Sequence, residues 1–545
     1  MRRTKTVVAS ICIIAMLLPI NVFGQTEKLS VDWIMKGPEL VGNPPTGVYW
    51  SRDSQKVYFR WKKANEPRLK TPDLYVVNRD GSGLKKLSEE EAKLAPPDSG
   101  ELSKDKRWTV FAEDGDIFLY DHSKGERKQV TSTTDAETNP HFTSDQQHIY
   151  FTRQNNLYTV SMDGATVQLT DIRQGPPGED RRRGTESQEW VKKENRDLLD
   201  AVKEKAQNRE ELEAKRKQKE KRKPFNVPMG QNVFSLNLSP DGKFAIATLS
   251  EQPRDGRNTI VPNYVTESGY TEDIPGRNKV GDTQNRTRLV FINVETGETK
   301  TLDHGIKDPK DKSDKPKDRE LSISPLRWSE DGTRSVAIAR SADNKDRYIL
   351  SVDASTGKAR ILDTLHDDAW INGFGRDPLG FLPDNHTIYF QSERDGYAHL
   401  YTQDTNGGPA KQLTRGEFEV SETQISEDRS KFLFASSEGS PFEHHFYSMN
   451  FDGSARTRLT SKVGHNEVRV SPDGTMQAVV FSSSNRPPEL FLQANQAGAD
   501  AKQITYSPTE EFLKYPWIEP PIVKFKARDG VEVPGRLYKP KGYTG

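Results

Sequence analysis

Hydrophobic and polar positions alternate along most of this chain in short runs, broken at intervals by polar turns. One unit recurs. It opens on a turn of Ser-x-Asp-Gly type: "SRDSQ" at Ser51, "SKDKR" at Ser103, "TSDQQ" at Thr143, "SPDGK" at Ser239, "SEDGT" at Ser329, "LPDNH" at Leu382, "SEDRS" at Ser426 and "SPDGT" at Ser471. An alternating run follows ("KVYFRW", "HIYFTR", "TIYFQS"), then a second ("LYVVNRDG", "LYTVSMDG", "HLYTQDTNG"), then a closing element such as "KQLTRG", "TRLTS" or "KQITY". Period-two alternation predicts strands with one buried face. Asp-Gly and Asn-Gly turns supply positive φ between antiparallel strands. A small antiparallel sheet cannot bury both faces alone, so the units must stack. Eight complete units of roughly 40–50 residues predict an all-β chain folded as an eight-bladed β-propeller, in preference to a β-solenoid or unrelated sandwiches.

The spacing doubles twice. Between Thr143 and Ser239 the excess is 172–230, with "ESQEWVKKENRDLLDAVKEKAQNREELEAKRKQKEKRK" (Glu186–Lys223) at its centre. This stretch lacks strand signals and is rich in helix formers, which predicts a helical arm over 186–223. Leu198, Leu199, Val202 and Leu212 give it only a thin apolar stripe, and Pro224 and Pro228 end it. Seven of nine residues from Lys215 to Lys223 are basic, which reads as a solvated helix face before an anion site. The second excess contains "KDPKDKSDKPKDRE", expected to be a mobile surface loop.

Charge adds an exclusion. Eighty basic residues balance eighty acidic ones, so the chain is no global binder of nucleic acid. The N-terminus reads as an export signal. "MRRTK" is a positive start, Val7–Ile20 an apolar run short for a membrane span, and Val22 and Gly24 suit cleavage before Gln25. An uncleaved anchor is the alternative. The one cysteine, Cys12, lies inside that signal, so residues 25 onward contain neither a disulfide nor a cysteine metal site. Export without disulfides suits a bacterial periplasm, with no stable membrane insertion after cleavage.

No catalytic constellation is visible. Ten histidines are scattered without metal-ligand spacing, so no metal or other cofactor is expected. No glycine sits in a Gly-x-Ser-x-Gly elbow. The last stretch, "FKARDGVEVPGRLYKPKGYTG" (Phe525–Gly545), reads instead as a strand-turn-strand that opens a further domain.

Three stretches in consecutive units are more specific: "SERDGYAHLY" (Ser392–Tyr401), "SSEGSPFEHHFYSMNFDG" (Ser436–Gly453) and "SNRPPELFL" (Ser484–Leu492). With the Ser-Pro-Asp-Gly turns and the terminal "KARDGVEVPGRLYKP", the chain resembles the prolyl oligopeptidase family of serine peptidases, and within it the dipeptidyl-peptidase IV branch. The resemblance implies a propeller capping an α/β-hydrolase domain that carries a Ser-Asp-His triad. It gives the organisation as a signal peptide over 1–24, a lead-in over 25–47, the propeller over 48–515 with its insertion at 172–230, and the first strands of a hydrolase domain over 516–545. On this reading the hydrolase core is missing from the 545 residues, which hold no catalytic residue. The implied partners are short peptides, a homodimer being left open.

The branch also carries a short helix with a Trp-Val-x-Glu-Glu-like motif whose paired glutamates hold the substrate's amino terminus. "QEWVKKEN" matches it in part: Trp190 and Val191 align, Glu194 falls on the first glutamate, and Asn195 replaces the second. An ordinary exposed helix glutamate is the bland alternative for Glu194, and Glu210-Glu211 a weaker substitute. The lost carboxylate puts strict dipeptidyl specificity in doubt. The opposing class is a TolB-like periplasmic propeller that binds protein partners without chemistry, and a disrupted gene is a third reading. The 545 residues are expected not to label with a fluorophosphonate serine-hydrolase probe; labelling on a serine would place the nucleophile within them.

Overall fold

Each recurring unit folds into a sheet of antiparallel strands drawn from one contiguous stretch of chain, four in seven units and five in the unit over 321–366, whose first strand is split into Leu321–Ile323 and Arg327–Trp328. In a computed structural model, the described residues are 29–543 except 163, 176–185, 199–203, 206, 209–210, 212–221, 254–256, 280–281, 372–377 and 541. The export signal and Cys12 lie outside them. Blade I spans 46–86, II 101–129, III 137–168, IV 231–301, V 321–366, VI 379–412, VII 420–458 and VIII 465–503. The eight-bladed propeller read from the turns is the observed architecture. Within a blade the strands run A to D from the channel outward, and the short D strands lie exposed on the rim.

The repeated turn is a repeated latch. Ser51, Ser103, Thr143, Ser239, Ser329, Ser426 and Ser471 each donate a hydroxyl to the Asp two residues on, at 2.5–2.6 Å. Each hydroxyl oxygen also accepts the N–H at the start of strand B, as Ser471 does from Met476 at 2.9 Å. The residue after the Asp is left-handed in all eight turns. Three are glycines (Gly242, Gly332, Gly474); Ser54, Lys106, Gln146, Asn385 and Arg429 adopt φ of 58–63° there. A side chain in that region costs about 1–2 kcal/mol, which the latch offsets. Blade VI has Leu382 in place of the serine and relies on Asp384 accepting from the His386 and Thr387 N–H groups.

A second latch closes the blade. The Thr after strand D in blades II, III, VI, VII and VIII (Thr131, Thr170, Thr414, Thr460, Thr505) is buried. Each accepts an N–H from strand C: Ile117, Leu157, Leu400, Phe446 and Leu490, at 2.9–3.0 Å. The "LT" endings of the sequence are therefore pins between the two outer strands. Between blades the contacts are apolar. Seven of the eight seams have their own cluster, for example Phe432, Phe434, Tyr447 and Met449 of blade VII against Leu382 and Leu400 of blade VI.

All A→B and C→D turns lie on one rim, the distal one. B→C turns and the connections between blades lie on the other, proximal rim, and every long insertion leaves from there. The helix Glu186–Leu198 belongs to the connection from blade III to blade IV. A two-stranded hairpin, Asn258–Asn263 paired with Glu272–Asn278, leaves blade IV between strands B and C. The segment read as a mobile loop, 307–320, has a defined fold. Lys307 pairs with Asp318 at 2.6 Å, Asp311 accepts the Ser313 and Lys317 N–H groups, and Arg319 docks on buried Asp346. Its composition is that of a disordered segment, but pairing of its own charges satisfies it locally.

The Thr latch can be tested. Thr131→Val keeps shape but leaves the Ile117 N–H without its hydroxyl partner, and should cost about 1–3 kcal/mol as a lower urea midpoint. Thr166→Val, on an exposed strand D, should stay within about 0.5 kcal/mol of the parent. Equal midpoints for the two variants would remove the latch from the account.

Candidate functional site

The proximal rim gathers the features that can do more than hold the ring together. The arm's root is built first. Its two legs pair as short parallel strands, Ile172–Gln174 with Phe225–Val227. Asn156, after a tight turn in which Gln154 and Asn155 are both left-handed, clamps the outgoing leg. Its Oδ1 accepts from the Thr170 hydroxyl at 3.0 Å and the Ile172 N–H at 2.7 Å, and its Nδ2 donates to the Ile172 carbonyl at 3.2 Å. The returning leg is held by Lys223, which pairs with Glu298 at 3.1 Å and donates its N–H to the Thr296 carbonyl. Gly297 is required beside it, because a Cβ there would stand 2.2 Å from the Lys223 carbonyl oxygen.

On the arm, Trp190 and Glu194 are one helical turn apart and share a face. Both are exposed, Trp190 to 62%. Asn195 lies within the same helix, but its side chain is outside the described residues, as is Glu210; Glu211 is exposed. The structure thus brings Trp190 and Glu194 together on one solvent-facing surface. A carboxylate so placed offers two acceptors to a cation or an ammonium.

Nearby on blade III is a pair that sequence reasoning passed over. Glu137, at the start of strand A, is almost fully buried, and its Oε1 accepts from Arg153 at 3.3 Å and from the Thr133 hydroxyl at 3.3 Å. The Arg153 guanidinium also lies 4.2 Å from the Tyr158 ring centroid. Two acidic and basic residues sixteen positions apart carry no local pattern; only the strand register of blade III joins them.

The three stretches that carried the family resemblance are the B→C turns and third strands of blades VI to VIII. Their polar residues form buried networks. Arg394 pairs with Asp363 of blade V at 2.7 Å and covers the Tyr401 ring, and Asp363 also meets Arg347 at 3.2 Å. His399, fully buried, is hydrogen-bonded to Thr414 Oγ1 at 3.0 Å and to the Gly416 carbonyl at 2.9 Å. The carbonyl can only accept, so Nε2 donates to it. His445 meets Glu443 at 2.8 Å. Its neighbour His444 points the other way and stacks on His465 at 4.6 Å; burial and the His465 charge hold it below the ordinary imidazole value. Glu489 is buried, which pushes its carboxyl up against the opposing pull of hydrogen bonds from Thr505 and Ser507. Among the described residues no three His, Cys, Asp or Glu side chains converge as metal ligands.

The terminal hairpin, Ile522–Lys526 with Glu532–Arg536, sits on this same rim. Arg536 lies over the Phe442 ring at 5.0 Å, and Ser484 donates to Glu519 at 2.8 Å, both at B→C turns. Phe525 and Val531 stay more than half exposed.

The fold and this rim define an eight-bladed propeller with a carboxylate-bearing helical arm and a strand pair on one mouth of its channel. Residues 234–488 match the family model described as the dipeptidyl peptidase IV N-terminal region. The Aspergillus flavus protein named "Probable dipeptidyl peptidase 4" is 26% identical over 243 residues, 42% of this chain and 30% of that protein. Dipeptidyl peptidase 4 of Trichophyton equinum is 22% identical over 283 residues, 50% of this chain and 35% of that one. The crystal structure of Porphyromonas gingivalis dipeptidyl peptidase 4 superimposes with a TM-score of 0.59 over 94% of this chain and 67% of that one, at 17% identity, a likeness of fold. This chain therefore carries a dipeptidyl peptidase IV-like propeller region, and the aligned part is about a third of the curated relatives' length.

Proposed function

We propose that the chain is the propeller portion of an exported serine peptidase of dipeptidyl-peptidase type, acting on short peptides. In this reading the propeller restricts access to a hydrolase domain that begins at the terminal hairpin, where a serine, activated by a histidine that an aspartate orients, attacks the scissile carbonyl. The arm's Glu194, beside Trp190, accepts the substrate's ammonium group and so sets the distance from the free amino terminus to the cut. The observation that carries the reading is the common rim: arm and terminal hairpin leave the propeller on the same side. The apolar run before Gln25 supports export to a periplasm. Among the described residues no helix is long and apolar enough to cross a membrane.

A homodimer is part of the proposal, with the blade IV hairpin as its surface. Among the described residues this hairpin pairs only with itself, which leaves both its edges open. It exposes Ile260, Val261, Tyr264, Val265, Tyr270 and Ile274, with Val261 opposite Ile274 across the strands. Isolated hairpins with apolar faces are marginal in water, so a second copy is the fitting cover.

Two measurements test these statements. In the active peptidase, Glu194→Ala should raise KM roughly 10- to 100-fold for peptides with free amino termini, the scale of a charge-assisted hydrogen bond. N-acetylated peptides should change little, and equal effects on both would take Glu194 out of the amine site. In sedimentation velocity, Val261→Glu with Ile274→Glu should turn a dimer into a monomer of unchanged fold. A parent chain already monomeric at high concentration would end the dimer proposal.

A further inference from the structure

The distal mouth of the channel is ringed by the eight A→B turns, and three of its side-chain contacts do not join neighbouring blades. Glu427, in the turn of blade VII, pairs with Arg52 in the turn of blade I. The same carboxylate oxygen lies 3.1 Å from the Lys106 Nζ in the turn of blade II. Arg429, two residues after Glu427, pairs with Glu330 in the turn of blade V. From one turn, blade VII thus reaches two and three blades away on one side and two on the other. Contacts of that reach span the opening.

The rest of the geometry fits a bridge across the mouth. Lys106 and Arg429 occupy the left-handed position of their turns, with φ of 62° and 59°, where glycine stands in three of the other blades. At those two positions a long cation is kept in a conformation that disfavours it. Burial raises the carboxyl of Glu427, but the bonds from Arg52 and Lys106 outweigh it and hold the group below its ordinary value. A cavity of about 650 Å³ adjoins the bridge, lined by Trp50, Arg52, Ile425, Glu427, Arg469 and Asp473.

An independent observation concerns the blades so held. The seven apolar clusters fall on every seam except that between blades I and II. That seam is joined through the intervening connection, by Tyr49 donating to the Pro96 carbonyl at 2.9 Å and Tyr120 to the Leu94 carbonyl at 3.3 Å. Arg52 and Lys106 belong to these two blades.

We propose that Glu427, with Arg52 and Lys106 and flanked by the Arg429–Glu330 pair, is an ionic lock that closes the distal mouth and retains blades I and II in the ring. Each pair is partly exposed, and exposed ion pairs are individually weak and screened by salt. The lock therefore opens reversibly, and passage through the channel is confined to the proximal rim while it is shut. This holds whether or not the chain serves a peptidase.

The test uses the whole chain with Cys12→Ser and spin labels on Gln55→Cys and Ser430→Cys, exposed positions in the turns of blades I and VII. Double electron–electron resonance should give one narrow distance distribution at low salt. Glu427→Gln, and separately about 1 M NaCl, where the screening length is about 3 Å, should lengthen and broaden it. Glu295→Gln, an exposed carboxylate away from the mouth, should leave it unchanged. A distribution indifferent to Glu427→Gln and salt, or equally sensitive to Glu295→Gln, would overturn the lock. If Glu427→Gln does not fold, the salt series on the labelled parent decides alone.

Discussion

The ring depends on the seam where blade VIII meets blade I. Every blade takes its strands from one contiguous stretch, so among the described residues no shared strand fastens the last blade to the first. The seam must be closed by contacts between residues some four hundred positions apart. Val57, Phe59 and Val77 of blade I pack against Ala478, Leu490 and Leu492 of blade VIII. Burial of side chains of this size contributes roughly 1.5–3 kcal/mol each, enough to offset the ordering of a long closed chain, whose entropy grows only slowly with length. Directional bonds then fix the register. Trp50 donates to the Arg469 carbonyl, the Asp473 N–H to Ser54 Oγ, and Lys502 to the Asp80 carbonyl, at 2.8–3.0 Å. Outside the blades, the flanking segments clasp each other too: Gly42 lies so close to the Ser507 carbonyl that a Cβ would overlap it, and Trp61 donates to both Asn43 and Ser507.

Closure of this kind demands blades of nearly equal shape, which is why the turns repeat. A Ser-x-Asp latch sets the same A→B geometry seven times over sequences as different as "SKDKR" and "SPDGT". The latch tolerates lysine, glutamine and arginine where glycine would be unstrained, so the hydrogen-bonded pair, not the glycine, defines the turn. That is also why the blades could be counted from the chain alone. The signal is local, recurs at fixed offsets and has a single physical meaning. The closing Thr was visible as a letter, but its role as a pin on strand C needed the register.

The functional residues were legible only in part. Trp190 and Glu194 could be proposed because "QEWVKKEN" resembles in part a motif of the dipeptidyl-peptidase IV branch, and the arm is a helix that sets these two positions on one face. The Glu137–Arg153 pair and the cross-channel pairs of Glu427 could not, since neither follows a helix or strand period. The first arises from the strand register within blade III, and the second from where the ring brings distant turns. The motifs that gave the resemblance were informative for another reason. His399 and Glu489 are buried polar groups bonded internally, and Arg394, itself exposed, is held on buried Asp363. Buried networks of this sort fail if one member is lost, so they mark a fold without marking a reaction.

The two rims divide the labour, and the reason is steric. A→B turns crowd around the axis on the distal rim, where the latch and the neighbouring turns leave no room for added residues. Connections on the proximal rim can lengthen at small entropic cost. The arm, the blade IV hairpin, the 307–320 segment and the terminal hairpin all leave from that rim. Variable chain on a rigid frame is where binding residues are usually held. A channel with one mouth bridged by charge and the other surrounded by insertions is polarised before any ligand is considered. With the distal mouth bridged, the open approach is left to the rim from which all these insertions leave, so the polarity of the channel follows from how the ring is closed.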